Sequence, residues 1–252
     1  MWIECFTGDE RVEGADADAL VEAMFGHIRA AHDVELPDDE IRLWARNFAD
    51  ASAREDGPVE RLDTIGAIDV VPVTEDRIDD WLTFFDRDAF PDNPDWGSCY
   101  CLHPHTGDGP ERPWRDLRAD MVERLRAGAT VGYLAYIDGR VGGWVNASLR
   151  STYRKYDGLD PEGPAPDTVV GVSCFVVAPP YRRHGVSNAL LGRVVADSAG
   201  RGARFVEGYP RNAADGGDAD AFCGPRSPFD AHRFTPARDE GRFTVMRRDA
   251  RA

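Results

Sequence analysis

Residues 169–191, VVGVSCFVVAPPYRRHGVSNALL, admit few folds. The apolar, β-branched run from about Val169 to Val177 reads as a strand buried on both faces. Pro179 and Pro180 end its sheet pairing, because neither can donate a ladder hydrogen bond. Val186, Leu190, Leu191, Val194 and Val195 then fall on one face of a helix. A buried strand that turns into a helix within a few residues belongs to an α/β architecture. The turn itself, YRRHGVSN, has the chemistry of an anion site. Gly185 lets a ligand approach the backbone, Ser187 keeps the side chain small, and the unpaired amides of the first helical turn face outward with the positive end of the helix dipole. Arg182, Arg183 and His184 add positive charge, so a phosphate fits this corner best.

The surroundings of that corner are strongly acidic. In 252 residues, 45 Asp and Glu oppose 30 Lys and Arg, for a formal net charge of -15, and Lys155 is the single lysine. Such a charge excludes broad nucleic-acid binding and suits a high-salt interior, where screening removes the self-repulsion; the expected setting is the cytoplasm of a halophile. Five cysteines and the lack of an apolar run near 18 residues point to a reducing cytosol, no disulfides and no membrane span.

Three segments follow from the patterning. Residues 1–55 form a small ββαα unit: a hairpin in WIECFTGDERVEG, a helix through Leu20, Met24, Ile28 and Ala31, and a second helix with Ile41, Trp44, Ala45 and Phe48 on one stripe. Residues 56–66 are polar and broken, as a linker is. From 67 to 252 strands and helices alternate: a strand in AIDVVPV, a helix in TEDRIDDWLTFF, a long loop over 86–112, and a helix carrying Trp114, Leu117, Met121 and Leu125. Two apolar runs joined by Asp138-Gly139 then read as a hairpin. A strand in ARFVEGYP and a closing strand in RFTVMRR complete the pattern.

YRRHGVS and this order of elements resemble the GNAT N-acetyltransferases, whose R-x-x-G-x-G/A turn binds the pyrophosphate of acetyl coenzyme A. The resemblance covers residues 67–252 and is strongest for a branch with a C-x-C loop and a VEGYP strand; Ser187 replaces the usual final glycine or alanine. It implies a GNAT fold of the α/β (α+β) class, with a mixed central sheet flanked by helices, and acetyl-CoA as co-substrate. Phe175, Val176 and Val177 would pair with the pantetheine arm. Arg183, His184, Gly185, Val186, Ser187 and Asn188 would hold the pyrophosphate, with Arg182 fixed by the motif. The implied activity is acetylation of a primary amine on a small molecule or peptide. The alternative is a non-catalytic acyl-CoA sensor acting through the N-terminal unit.

Acetyl transfer asks for a deprotonated amine and a stabilised thiolate. Many relatives use a late tyrosine as acid, whereas Phe222 and Cys223 stand there. Glu207 and Tyr209 alternate onto one side of a strand and are the expected proton carriers. In WGSCYCLHPH, Trp96, Cys99, Tyr100 and Cys101 are the expected substrate wall. Cys99, Cys101, His103 and His105 alternate, but four ligands on one extended strand do not close a tetrahedron, so no metal is expected. The N-terminal unit resembles small Cys/His domains through Cys5, His27 and His32. A second hairpin cysteine is missing, Asp9 and Glu10 are poor substitutes, and the two histidines lie about 140° apart on a regular helix. A metal-free module for dimerisation, as a homodimer, or for a protein partner is the expectation.

Overall fold

The computed structural model describes residues 2–4, 11–32, 34, 37–52, 61–92, 97, 99–107, 114–212 and 222–252. Its N-terminal unit pairs β1 (Trp2–Glu4) with β2 (Arg11–Glu13) in antiparallel fashion. Helix α1 (Ala17–Ala31) is capped by Asp16, whose carboxylate accepts the Ala19 amide at 2.8 Å. Against it packs α2 (Asp38–Ser52), and Ile3, Leu20, Met24, Ile28, Ile41 and Ala45 make a separate small core. Ala31 is exposed rather than part of that stripe. The 140° separation of His27 and His32 does not hold either: His32 leaves the helix in an extended conformation, and its Nε2 returns to within 3.1 Å of His27 Nε2. Cys5, Asp9 and Glu10 lie outside the described residues, as does the side chain of Phe48.

The remainder is built on a seven-stranded sheet. In chain order its strands are β3 (Ile68–Pro72), β4 (Gly132–Ile137), β5 (Arg140–Leu149), β6 (Val169–Val177), β7 (Phe205–Gly208), β8 (Thr235–Asp239) and β9 (Thr244–Asp249). They lie in the order β3-β4-β5-β6-β7-β9-β8. Only β6 and β7 run parallel; each other neighbouring pair is antiparallel. The β4–β5 turn places Asp138 and Gly139 at φ 51° and 80°, the double left-handed turn that an Asp-Gly pair favours.

Among the described residues four further helices accompany this sheet: α3 (Ile78–Thr83), α4 (His103–Thr106), α5 (Trp114–Arg126) and α6 (Val186–Ser198). A fifth, α7 (Arg226–Ala231), follows in the tail. One face of the sheet buries Val145, Val170, Val172 and Val206 against Leu190, Leu191 and Val194 of α6, and each such aliphatic side chain contributes roughly 1.5–3 kcal/mol. The other face carries Trp81, Phe84, Phe85, Tyr100 and Trp144.

Two elements depart from expectation. The long loop over 86–112 starts inside a π turn at Phe84–Asp88 and contains the short α4. Strand β8 is fully exposed at the sheet edge, so it carries none of the apolar alternation by which a strand is read. The N-terminal unit rests on the body through Arg115 and Glu40, paired at 2.6 Å.

Candidate functional site

The parallel pairing of β6 with β7 ends at Val172 opposite Gly208. Strand β6 runs on to Val177, still bonded to β5 through Val177 opposite Gly143. Along residues 173–177 its second edge therefore faces a cleft of about 660 Å³ lined by Cys174, Phe175, Val176 and Val177. Gly208, the last paired residue of β7, leaves room for Phe229 of α7, whose ring would lie 2.0 Å from an added Cβ, and Ser227, Pro228 and Ala231 of α7 line the cleft.

The cleft leads to the start of α6. Gly185 caps that helix at φ 81°, a left-handed conformation, and Arg183 precedes it at φ 67°. Gly185, Val186, Ser187 and Asn188 line the cleft together with Arg182 and Arg183. The amides of the first helical turn have no helical acceptor, so a chain of donors follows the open strand edge. Arg182 braces the turn: its Nε donates to Val177 O at 3.0 Å and its guanidinium pairs with Asp92. His184 stands apart from the other residues expected here. Its Nε2 bonds Leu62 O at 2.7 Å, and it does not line the cleft.

Opposite the strand lies the C-x-C loop. Cys99, Cys101, His103 and Pro104 line the cleft, as does Phe90. Tyr100 does not; it is buried, donating to Asp86 Oδ1 at 2.7 Å, and Asp86 in turn pairs with Arg118. Trp96 lies outside the described residues. Tyr100 and Cys101 take φ of 45° and 54°, so the extended alternation over 99–105 is broken. His103 stays exposed while His105 is buried. Among the described residues no group of three or more His, Cys, Asp or Glu side chains is placed to hold a metal ion.

His105 anchors the loop from behind. Asn146 Nδ2 only donates, so Nε2 accepts and Nδ1 carries the proton toward Thr152 O at 3.0 Å, with Arg124 Nη2 crowding Nδ1 at 3.1 Å. Nε2 then accepts from Thr130 Oγ1 at 3.2 Å and Asn146 Nδ2 at 3.1 Å. Burial, and next the charge of Arg124, pull its pKa down to about 4. Asn146 continues the network to Tyr153 and Ser148. Sequence spacing offered His105 only as a ligand; its polar partners come from β5, the turn after it and the α5–β4 turn, which no local pattern connects to it.

Glu207 and Tyr209 are brought together, but away from the cleft lining. Glu207 is fully buried. Its carboxylate accepts from Arg150 Nη1 at 2.9 Å and from Arg247 Nε at 2.7 Å. Tyr209 lies 3.4 Å from it and stacks on Tyr156 at 3.9 Å; burial, then the Glu207 charge, push the Tyr209 phenol up. Among the described lining residues the one tyrosine is Tyr181, in the turn before α6.

The acetyltransferase (GNAT) family matches the chain over residues 80–214. No curated protein matches it. Solved structures similar to the chain include the GNAT domain of S. lividans PAT, at 20% identity over 73% of this chain and 91% of that one, with a TM-score of 0.48. PaiA N-acetyltransferase from Thermoplasma acidophilum, in complex with coenzyme A, is 9% identical over 73% and 99%, with a TM-score of 0.43. The yncA protein of Salmonella typhimurium, solved with its cofactor acetyl-CoA, is 14% identical over 73% and 95%, with a TM-score of 0.43.

Proposed function

The chain belongs to the acetyltransferase (GNAT) family, and on that premise we propose that it moves the acetyl group of acetyl-CoA to a primary amine of a small molecule or peptide. The observation that carries this reading is the open edge of β6, which runs along the cleft to the first turn of α6. The pantetheine arm pairs with Phe175, Val176 and Val177 as an added strand would. The diphosphate takes the amides from Gly185 to Asn188, where the helix dipole and the neighbouring arginines favour negative charge. Ser187 offers it a hydroxyl. Arg182 is a positioning residue that fixes the turn to the end of β6.

The thioester is already activated, so holding the amine against its carbonyl supplies much of the rate. The acceptor enters between the C-x-C loop and the end of β6, past Cys99 and Cys101. Glu207 and Tyr209 are expected proton carriers from the sequence; their burial and the two arginines on Glu207 favour a positioning role, holding β7, β9 and the segment at Arg150 around the splayed strands. No helix among the described residues is long and apolar enough to cross a membrane, and we read the acid excess as adaptation to a salt-rich cytoplasm.

Coenzyme release with a panel of amines tests the assignment. Free thiol should appear from acetyl-CoA in step with acetylated amine. Saturable binding of acetyl-CoA without release for any amine would support the sensor reading instead.

A further inference from the structure

Of residues 181–188, His184 alone does not line the cleft. Its Nε2 reaches Leu62 O at 2.7 Å, and because a carbonyl only accepts, the ring donates. The amide of the same Leu62 donates to Pro180 O at 3.0 Å. One residue thereby ties the start of the turn to its end. Leu62 is 45% exposed, so its side chain adds little burial and the main chain is what the turn grips.

The segment that carries Leu62 is itself anchored. Ile65 packs against the core that α6 shares with the sheet. Gly66 lies so close to the β4–β5 turn that an added Cβ would stand 2.0 Å from Asp138 Oδ1, and the chain enters β3 at Ile68. Residues 61–66 therefore form a fastened strap rather than a loose linker. They fall outside the stretch that matches the acetyltransferase family, residues 80–214.

The turn is one that benefits from being held. Arg183 and Gly185 both take left-handed φ, 67° and 81°, a region that a residue with a side chain seldom adopts unless its surroundings impose it. Arg182 fastens the turn to Val177 O and Asp92. Leu62 adds a second fastening, from Pro180 to His184. The amides from Gly185 to Asn188 are thus set before a ligand arrives, and donors aligned in advance spare the ligand the entropy of ordering them.

We propose that the strap is part of the coenzyme site: Leu62, through its main chain, and His184 are positioning residues that hold the diphosphate turn in its binding form. The proposal rests on acetyl-CoA occupying the cleft as described above. Both groups act through the backbone of the turn rather than on the coenzyme. Selectivity follows, because acetyl-pantetheine has no diphosphate and is indifferent to the state of the turn.

Titration calorimetry on the full-length protein, with acetyl-CoA and with acetyl-pantetheine, tests this. His184→Ala should weaken acetyl-CoA roughly three- to tenfold, the contribution of one hydrogen bond, and leave acetyl-pantetheine at its wild-type affinity. His184→Gln, whose side-chain amide can still donate to Leu62 O, should recover most of the loss. Leu62→Pro removes the amide that bonds Pro180 without changing any charge, and it should give the same selective loss. The proposal is overturned if His184→Ala binds acetyl-CoA as wild type does, if it weakens both ligands by the same factor, or if His184→Gln does no better than His184→Ala. A folded Leu62→Pro with wild-type affinity also overturns it, since His184 would then act on the diphosphate directly. Should Leu62→Pro fail to fold, the two His184 variants decide. If wild type binds both compounds equally, or neither, the coenzyme reading fails first and this one with it.

Discussion

His105 shows how a single buried side chain sets the geometry of the cleft wall. Neutral, it satisfies Thr152, Thr130 and Asn146 at once; protonated, it would place a second cation beside Arg124 and lose the bond that Nε2 accepts from Asn146 Nδ2. Its pKa falls from 6.5 to about 4 on folding. Between those values the unfolded chain binds the extra proton and the folded one does not, so stability is lost as pH falls through that window. The loss approaches about 3 kcal/mol at the low end. Thermal unfolding followed from about pH 7 to about pH 4, across that window, should show the slope, and His105→Gln should flatten it. At this scale the sequence announced the chemistry of Gly185 and its neighbours, because a glycine, a small residue and flanking arginines act locally. It did not announce the partners of His105 or of His184, since both are reached across the fold.

At the scale of elements, β6 and α6 were legible end to end, because a doubly buried strand and an amphipathic helix each write their period into the chain. Strand β7 was legible as a strand, but its partners were not. Glu207 reads as a candidate base only while its neighbours are unknown; Arg150 precedes it by dozens of residues and Arg247 follows on β9. Removing the charge leaves the buried Arg150 without its carboxylate, while Arg247 keeps Asp160. Glu207→Gln is therefore expected to destabilise the protein by about 3–5 kcal/mol in chemical denaturation, with the shape of the pH–rate profile unchanged. A lost limb in that profile, with stability intact, would return Glu207 to the role of base. The exposed β8 edge strand, which lacks any buried face, had no pattern to read.

Across the whole molecule, an acid-rich chain with a formal net charge of -15 is read as keeping one corner for anions. It does so with main-chain amides and a helix terminus more than with side chains, since Arg182 is already paired with Asp92. On the proposed reading, the corner takes phosphate although the protein's overall field repels it, and molar salt, which screens that field, should help binding rather than abolish it. The central claim is that the diphosphate of the coenzyme sits on the first turn of α6. Titration calorimetry in molar potassium chloride, comparing acetyl-CoA with acetyl-pantetheine, tests it most directly. Saturable heat is expected for acetyl-CoA, much weaker binding for the analogue without the diphosphate, and weaker binding of acetyl-CoA by Gly185→Val, whose side chain opposes the left-handed turn. Equal affinity for the two compounds, or no heat with acetyl-CoA, would contradict the account.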